Sequence, residues 1–251
     1  MLTMHDATLG DLPALSRRTR DLVATSRWTA LLAGLSALAT VGQTRVIHRA
    51  SVTAVDPMLL PAVRMADWLA LFTGAALVLA SIVGVIRWAL WTRDAFALGS
   101  SLGLRSLRTR GASAAWSFVI PLVQLWRPFL VLVELTRALD RERIPAGAPV
   151  ASQEATEHYR QNAVGAAVDD RPLPSVPIGA WWALWLGGWA LTRVAAFTHD
   201  GARTLVDLRT SLTIDLFAAL ALAAAALLAA RVAVGLDARL RERAARVGGA
   251  R

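Results

Sequence analysis

Nineteen consecutive residues, 68–86, carry no charged side chain. Wound as an α-helix, such a stretch is about 28 Å long, close to the roughly 30 Å of a bilayer's hydrocarbon core. Backbone groups that cross hydrocarbon must bond within their own segment, which a helix does. Trp68 stands at one end of the stretch, and Trp88 and Trp91 follow the other. These are the positions amphipathic rings take at the two membrane–water interfaces. Ala76, Ala80 and Gly84 recur at four-residue spacing and offer a small-residue face for close helix contact.

Composition supports the same class. The 251 residues are 55% hydrophobic with a mean hydropathy of +0.47, too apolar for an ordinary soluble domain. The chain has no Cys, which excludes disulfides, thiolate nucleophiles and Cys-based zinc sites. All 27 basic residues are Arg. Arg codons are GC-rich and Lys codons AT-rich, so the expected source is a GC-rich bacterium and the expected location its inner membrane. The net charge of +9 is spread in clusters beside apolar runs. A nucleic-acid binder gathers its charge on one soluble domain, so no nucleic-acid partner is expected.

Three more apolar runs, 28–47, 176–197 and 210–232, read as further spans within a membrane domain of residues 27–236. The first carries Ala30 and Gly34 as its small-residue pair. The 176–197 run carries Trp181, Trp182, Trp185 and Trp189. Residues 181, 185 and 189 share a helix face, which suits interfacial anchoring and packing better than a ligand wall. Residues 1–26 form a basic flank, where Asp11 followed by Leu12 and Pro13 signals a helix start. Ser16-Arg17-Arg18 has the form of a twin-arginine signal but reads as part of that flank. Residues 141–175 are a Pro-, Ala- and Gly-rich linker, and its Glu154, Glu157 and His158 read as a solvated turn rather than a metal site. Residues 237–251 form a basic tail, with Leu236, Leu240 and Val247 giving it the pattern of an amphipathic helix on anionic lipid.

The topology turns on residues 111–139, as greasy as a span but interrupted by Pro121, Gln124, Arg127 and Pro128. A helical piece ending before Pro121 reaches about halfway across the core, and a second piece is expected to bend near Pro128. Freed backbone at that depth is expected to face the interior of the helix bundle. If the stretch crosses the membrane, the arginines divide 12 inside against 15 outside. If it returns to its own side, they divide 21 inside against 6 outside, as the positive-inside rule requires. The expected fold is therefore all-α: an integral membrane bundle of four transmembrane helices plus a Pro-broken re-entrant or interfacial segment. Both termini are then cytoplasmic.

The order of motifs also resembles a known family. Trp88-Ala89-Leu90-Trp91-Thr92-Arg93 follows the second span. Trp116-Ser117-Phe118-Val119-Ile120-Pro121 and Leu125-Trp126-Arg127-Pro128 come next, closing on Glu134-Leu135. Trp181-Trp182-Ala183-Leu184-Trp185 opens a later span. From residue 28 to 246 the chain resembles the bacterial membrane-protein family numbered 4328 among the domains of unknown function. The family pattern has Asn where this chain has Gln124 and another Asn near Ala95. The resemblance implies a multi-pass membrane protein and supplies no activity, substrate or catalytic residue.

Function is bounded rather than specified. The ionisable residues open to intramembrane chemistry are Glu134, Asp215, His48 and His199, and no nucleophile, metal or phosphate-loop spacing links them. The expected role is a membrane interaction, scaffold or regulatory protein, not an enzyme, and no cofactor site is expected. Its surroundings are the bilayer, anionic lipids at the basic flanks, and a membrane-protein partner or a second copy of the chain. A small transporter or channel subunit is the alternative, since broken membrane helices often line a path. An intramembrane enzyme is the second alternative. Arg193 and Asp215, at similar depth on consecutive antiparallel spans, are expected to pair.

Overall fold

The computed structural model describes residues 4–52, 59–120, 123–141 and 176–248. Of these 89% are helical, and no strand occurs among them. The helices are α1 (Met4–Val52), α2 (Leu59–Ser101), α3 (Gly111–Trp116), α4 (Arg127–Arg141), α5 (Ile178–Asp200) and α6 (Leu205–Gly248), with one 3-10 turn at Val123–Leu125. The linker beyond residue 141, with Glu154, Glu157 and His158, lies outside the described residues, as does Pro121.

Among the described residues, three helices are long and apolar enough to cross a membrane, along Leu12–Arg49 of α1, Arg64–Ser101 of α2 and Leu205–Val247 of α6. The fourth expected span coincides with α5, which is long enough at 23 residues. Its tryptophans have near-neutral hydropathy and Arg193 is charged, so α5 falls outside this apolar group.

The chain divides into two compact units. One, here the motif unit, comprises Met1–Arg20, Trp88–Val176 and Val232–Arg251; the other, here the span unit, comprises Asp21–Arg87 and Pro177–Arg231. In the span unit many large apolar side chains face outward. Leu69, Phe72, Leu79 and Ile86 of α2 are all more than half exposed, whereas Thr73 of the same helix is buried. An apolar exterior suits a helix whose solvent is lipid. Small residues build the contacts within the unit. Leu22, Thr25, Ala33, Ala37 and Thr40 form the buried stripe of α1, and a Cβ on Gly84 of α2 meets Thr25 Cγ2 at 4.0 Å. This corrects the expected pair Ala30 and Gly34: a Cβ on Gly34 meets nothing within 4 Å. The helical phase of the seam is set by Ala33 and Ala37, one step around the helix. Gly188 of α5 fits tightly on α6, where an added Cβ stands 2.8 Å from Leu222 Cγ and 3.3 Å from its backbone nitrogen.

Burial along α2 changes at Trp88. From Trp88 onward Ala89, Trp91, Thr92, Ala95, Phe96 and Leu98 are buried, at the three- and four-residue spacing of a helix packed on protein. The α4 helix has the same design, with Val131, Leu132, Leu135, Ala138 and Leu139 buried and Arg137, Asp140 and Arg141 outward.

Several boundaries differ from expectation. The α1 helix starts at Met4 and runs through Pro13 instead of starting at Asp11. Pro128 lies in the first turn of α4 and opens the helix rather than bending it. The missing N–H of a proline goes unused in a first turn, and its fixed φ is already helical. The α5–α6 connection is a tight turn at 201–204 instead of a dozen residues. Asp207 Oδ2 accepts from the amides of Arg203 and Thr204 at 3.2 and 3.0 Å, while Thr204 Oγ1 accepts from the Asp207 amide at 3.1 Å. This reciprocal capping box satisfies the Asp207 amide of the first turn and the amides that lead into it, and lets α6 begin early.

Candidate functional site

The motif unit brings together the two tryptophan-bearing stretches that stood out in the sequence. Trp88 stacks on Phe118 with ring centroids 6.1 Å apart and planes 8° apart. Trp91 meets Trp88 edge-on at 5.4 Å and 77°. The buried Trp91 indole donates to Thr19 Oγ1 at 2.9 Å, and Thr19 Oγ1 donates to the Leu15 carbonyl at 3.0 Å. Asp94, one turn further along α2, binds Arg18 at 2.9 Å and Arg93 at 3.1 Å. Arg18 also donates to the Leu90 carbonyl at 3.2 Å.

The segment after α2 is fastened at both ends. Gly103, at φ +77°, turns the chain out of the helix, a backbone conformation that costs glycine little. The Leu104 amide returns to the Gly99 carbonyl at 3.0 Å, and Arg243 donates to the Leu102 carbonyl at 3.3 Å. At the far end Glu134 acts as a clamp. Its Oε1 accepts from the amides of Arg108 and Thr109 at 2.5 and 2.9 Å, and its Oε2 accepts from Thr109 Oγ1 at 2.6 Å. Partial burial raises the Glu134 pKa, but the Thr109 hydroxyl and the Thr109 and Arg108 amides outweigh it and hold the carboxyl below its ordinary value. Gly111 then seats α3 directly against α2, where an added Cβ would stand 2.6 Å from the Arg93 carbonyl oxygen.

Two further acids are taken up at the end of α6. Asp140 binds Arg239 at 3.0 Å, and the buried Asp237 pairs with Arg241 one turn on. This corrects the expectation that the basic tail lies on anionic lipid. The tail continues α6 without a break, Leu236, Leu240 and Ala244 are buried, and Arg239 and Arg243 bind protein groups. An amphipathic pattern states that one face is covered; it does not distinguish lipid from protein.

The residues singled out from sequence separate into distinct environments. Trp116 and Trp126 are 60% and 53% exposed, and Arg127 reaches back to Ser113 Oγ at 3.3 Å. Gln124 and Val123 are half-buried in the 3-10 turn and Leu125 is exposed, while Pro121 lies outside the described residues. In the span unit Trp181 and Trp182 are buried, and Trp185 stacks on Trp182 at 4.9 Å. Arg193 and Asp215 do not pair. Arg193 points outward on α5, and Asp215 Oδ2 accepts from Thr40 Oγ1 of α1 at 3.1 Å. Helical phase turns Arg193 outward and Asp215 towards α1. His199 Nδ1 lies 3.4 Å from Ser211 Oγ. Glu134 belongs to the motif unit and His48, His199 and Asp215 to the span unit. Among the described residues no three His, Asp or Glu side chains gather to hold a metal.

Sequence reading missed Thr19, Asp94, Asp140 and Asp237. Positive-inside counting uses arginines and discards the acids among them, although Asp237 and Arg241 stand at helical i,i+4 spacing.

Among the described residues, three helices long and apolar enough to cross a bilayer fit a helical membrane protein. Residues 58–238 match the model of the domain of unknown function DUF4328, and the chain belongs to that family. The match begins after α1, later than the expected residue 28. Comparisons with curated proteins and with solved structures give no match.

Proposed function

We propose that this protein is a membrane interaction or scaffold protein rather than an enzyme. The observation that carries this reading is the commitment of its carboxylates. Asp94, Glu134, Asp140 and Asp237 each bind an arginine or backbone amides within the motif unit. Glu134, held by three donors with its pKa lowered, is a weak base and a poor nucleophile. Such groups hold a shape, and a held shape serves recognition.

In this reading the protein has four spans, both termini lie in the cytoplasm, and the location is a bacterial inner membrane. The fourth span is α5. Its 23 residues are about 34 Å long, and Gly188 packs it closely on the apolar α6. A second reading, a small transporter, draws on Asp215, a part-buried carboxylate within a span whose partner is a neutral hydroxyl.

Purification of the full chain in mild detergent, followed by mass spectrometry of what accompanies it, separates the two. A stoichiometric protein partner is the expected result. A tightly bound ion or small molecule without a partner transfers the assignment to transport.

A further inference from the structure

We propose that Asp215 of α6 and Thr40 of α1 form a seat for a monovalent cation within the membrane, reached from the side of the α5–α6 turn. The inference rests on the membrane reading above and holds whether or not the cation is carried across.

The setting is apolar on both helices. Residues 28–44 carry no charge, and Asp215 is the single charge between Arg209 and Arg231. By helix rise Thr40 lies about 8 Å inward of Arg45, and Asp215 about 9 Å inward of Arg209. An ionisable group at such depth is costly, and is kept for function or held by a basic partner. No basic partner stands here. Among the described residues Asp215 has no ion pair, and its hydrogen-bond partner is the neutral Thr40 hydroxyl. The neighbouring charges are directed elsewhere. Arg45, Arg193 and Arg209 are exposed, and Asp67 of α2 accepts from Gln43 at 3.1 Å.

A count of protons defines the seat. Thr40 is buried, and its hydroxyl holds one proton. Two acceptors lie within its reach, the Ser36 carbonyl at 3.0 Å and Asp215 Oδ2 at 3.1 Å. Serving either one leaves the other facing a lone pair of Thr40 Oγ1. A cation between Asp215 Oδ2 and Thr40 Oγ1, with the hydroxyl proton on the Ser36 carbonyl, satisfies all three oxygens. Oxygen donors suit a hard ion, and one carboxylate balances one positive charge. Sodium ion and proton share that chemistry.

Polar groups approach the seat from one side. Towards the α5–α6 turn, Thr44 Oγ1 donates to the Thr40 carbonyl at 2.9 Å. Ser211, one turn before Asp215, is buried, and its Oγ lies 3.4 Å from Nδ1 of the exposed His199. In the other direction the buried residues are apolar, Ala33 and Ala37 of α1 and Ala218, Ala219 and Leu222 of α6. The cation therefore enters and leaves by the turn.

Dicyclohexylcarbodiimide, an apolar reagent that modifies carboxyls in lipid, tests the seat. The full chain is reconstituted in phosphatidylcholine–phosphatidylglycerol vesicles, and modification of Asp215 is followed by mass spectrometry of its peptide. One series raises sodium against choline at constant ionic strength and pH. A second varies pH without sodium. With sodium as occupant, modification slows about tenfold when sodium reaches about ten times its Kd, and Thr40→Val weakens that protection. With the proton as occupant, sodium has no effect and Thr40→Val moves the pH midpoint of modification. Thr40→Ser keeps the hydroxyl and follows wild type in either series, and Thr40→Ala replaces a valine variant that fails to fold. Sodium protection that loss of the hydroxyl leaves unchanged overturns the seat. So does indifference to sodium together with an unmoved midpoint, and so does an Asp215 that no condition modifies. Leu79→Cys, on the outward face of α2, reports the setting. Its reaction with a water-soluble maleimide removes the membrane reading itself, whatever Asp215 does.

Discussion

Glu134 shows how far one residue's role depends on what folds against it. In sequence it is an ionisable group in a greasy stretch, open to catalysis. In the structure it ties the amides of Arg108 and Thr109 to α4. Replacing it with Ala removes three hydrogen bonds to a charged acceptor, and water reaches the freed donors in part. The expected loss of unfolding free energy is about 1–3 kcal/mol, measured by thermal unfolding in detergent. Glu134→Gln keeps the acceptor and falls between. The pH dependence has a definite sign. A folded-state pKa below the ordinary 4.5 means the clamp stabilises fully above that value and fades as pH falls through the lowered one. Wild type therefore loses stability on acidification below about pH 4.5, and Glu134→Ala loses less over the same interval. Equal acid sensitivity in both proteins excludes Glu134 as a source of that dependence.

At the scale of elements, α2 joins two environments in one helix. Its stretch up to Arg87 shows apolar side chains outward, and its stretch from Trp88 buries them. The span was legible because nineteen uncharged residues admit few alternatives. The packed half was less so, since its pattern needed the partners Thr19 and Phe118 to give it meaning. Glycines make the same point. Gly34 and Gly188 are both flanked by apolar helix in sequence, yet only Gly188 has a neighbour within 4 Å of an added Cβ. Gly34→Ala is expected to be neutral or to stabilise by up to about 1 kcal/mol through helix propensity. Gly188→Ala gains the same propensity but must displace Leu222, an overpacking penalty of about 1–3 kcal/mol, so it is expected to destabilise. Thermal melts of the two single variants decide the matter. Equal behaviour places the α5–α6 contact elsewhere.

For the whole molecule, the arginine distribution predicts that the motif unit's segments lie on one side of the membrane. Reporter fusions after residue 150 and at the C-terminus are both expected to read cytoplasmic, and an external reading at 150 with an internal N-terminus removes the four-span arrangement. Sequence alone determined the class, because a long uncharged run in a chain this apolar has lipid as its compatible solvent. It also located the break at 111–139, because proline withdraws a backbone donor wherever it stands. Only the tertiary structure decided which charges meet. Asp215 turned to Thr40 rather than Arg193, and the arginines of α6 turned to Asp140, Asp237 and the Leu102 carbonyl. The physical reason is angular. A helix turns about 100° per residue, so one residue of phase redirects a side chain to a different neighbour, and phase is fixed by packing between elements far apart in sequence.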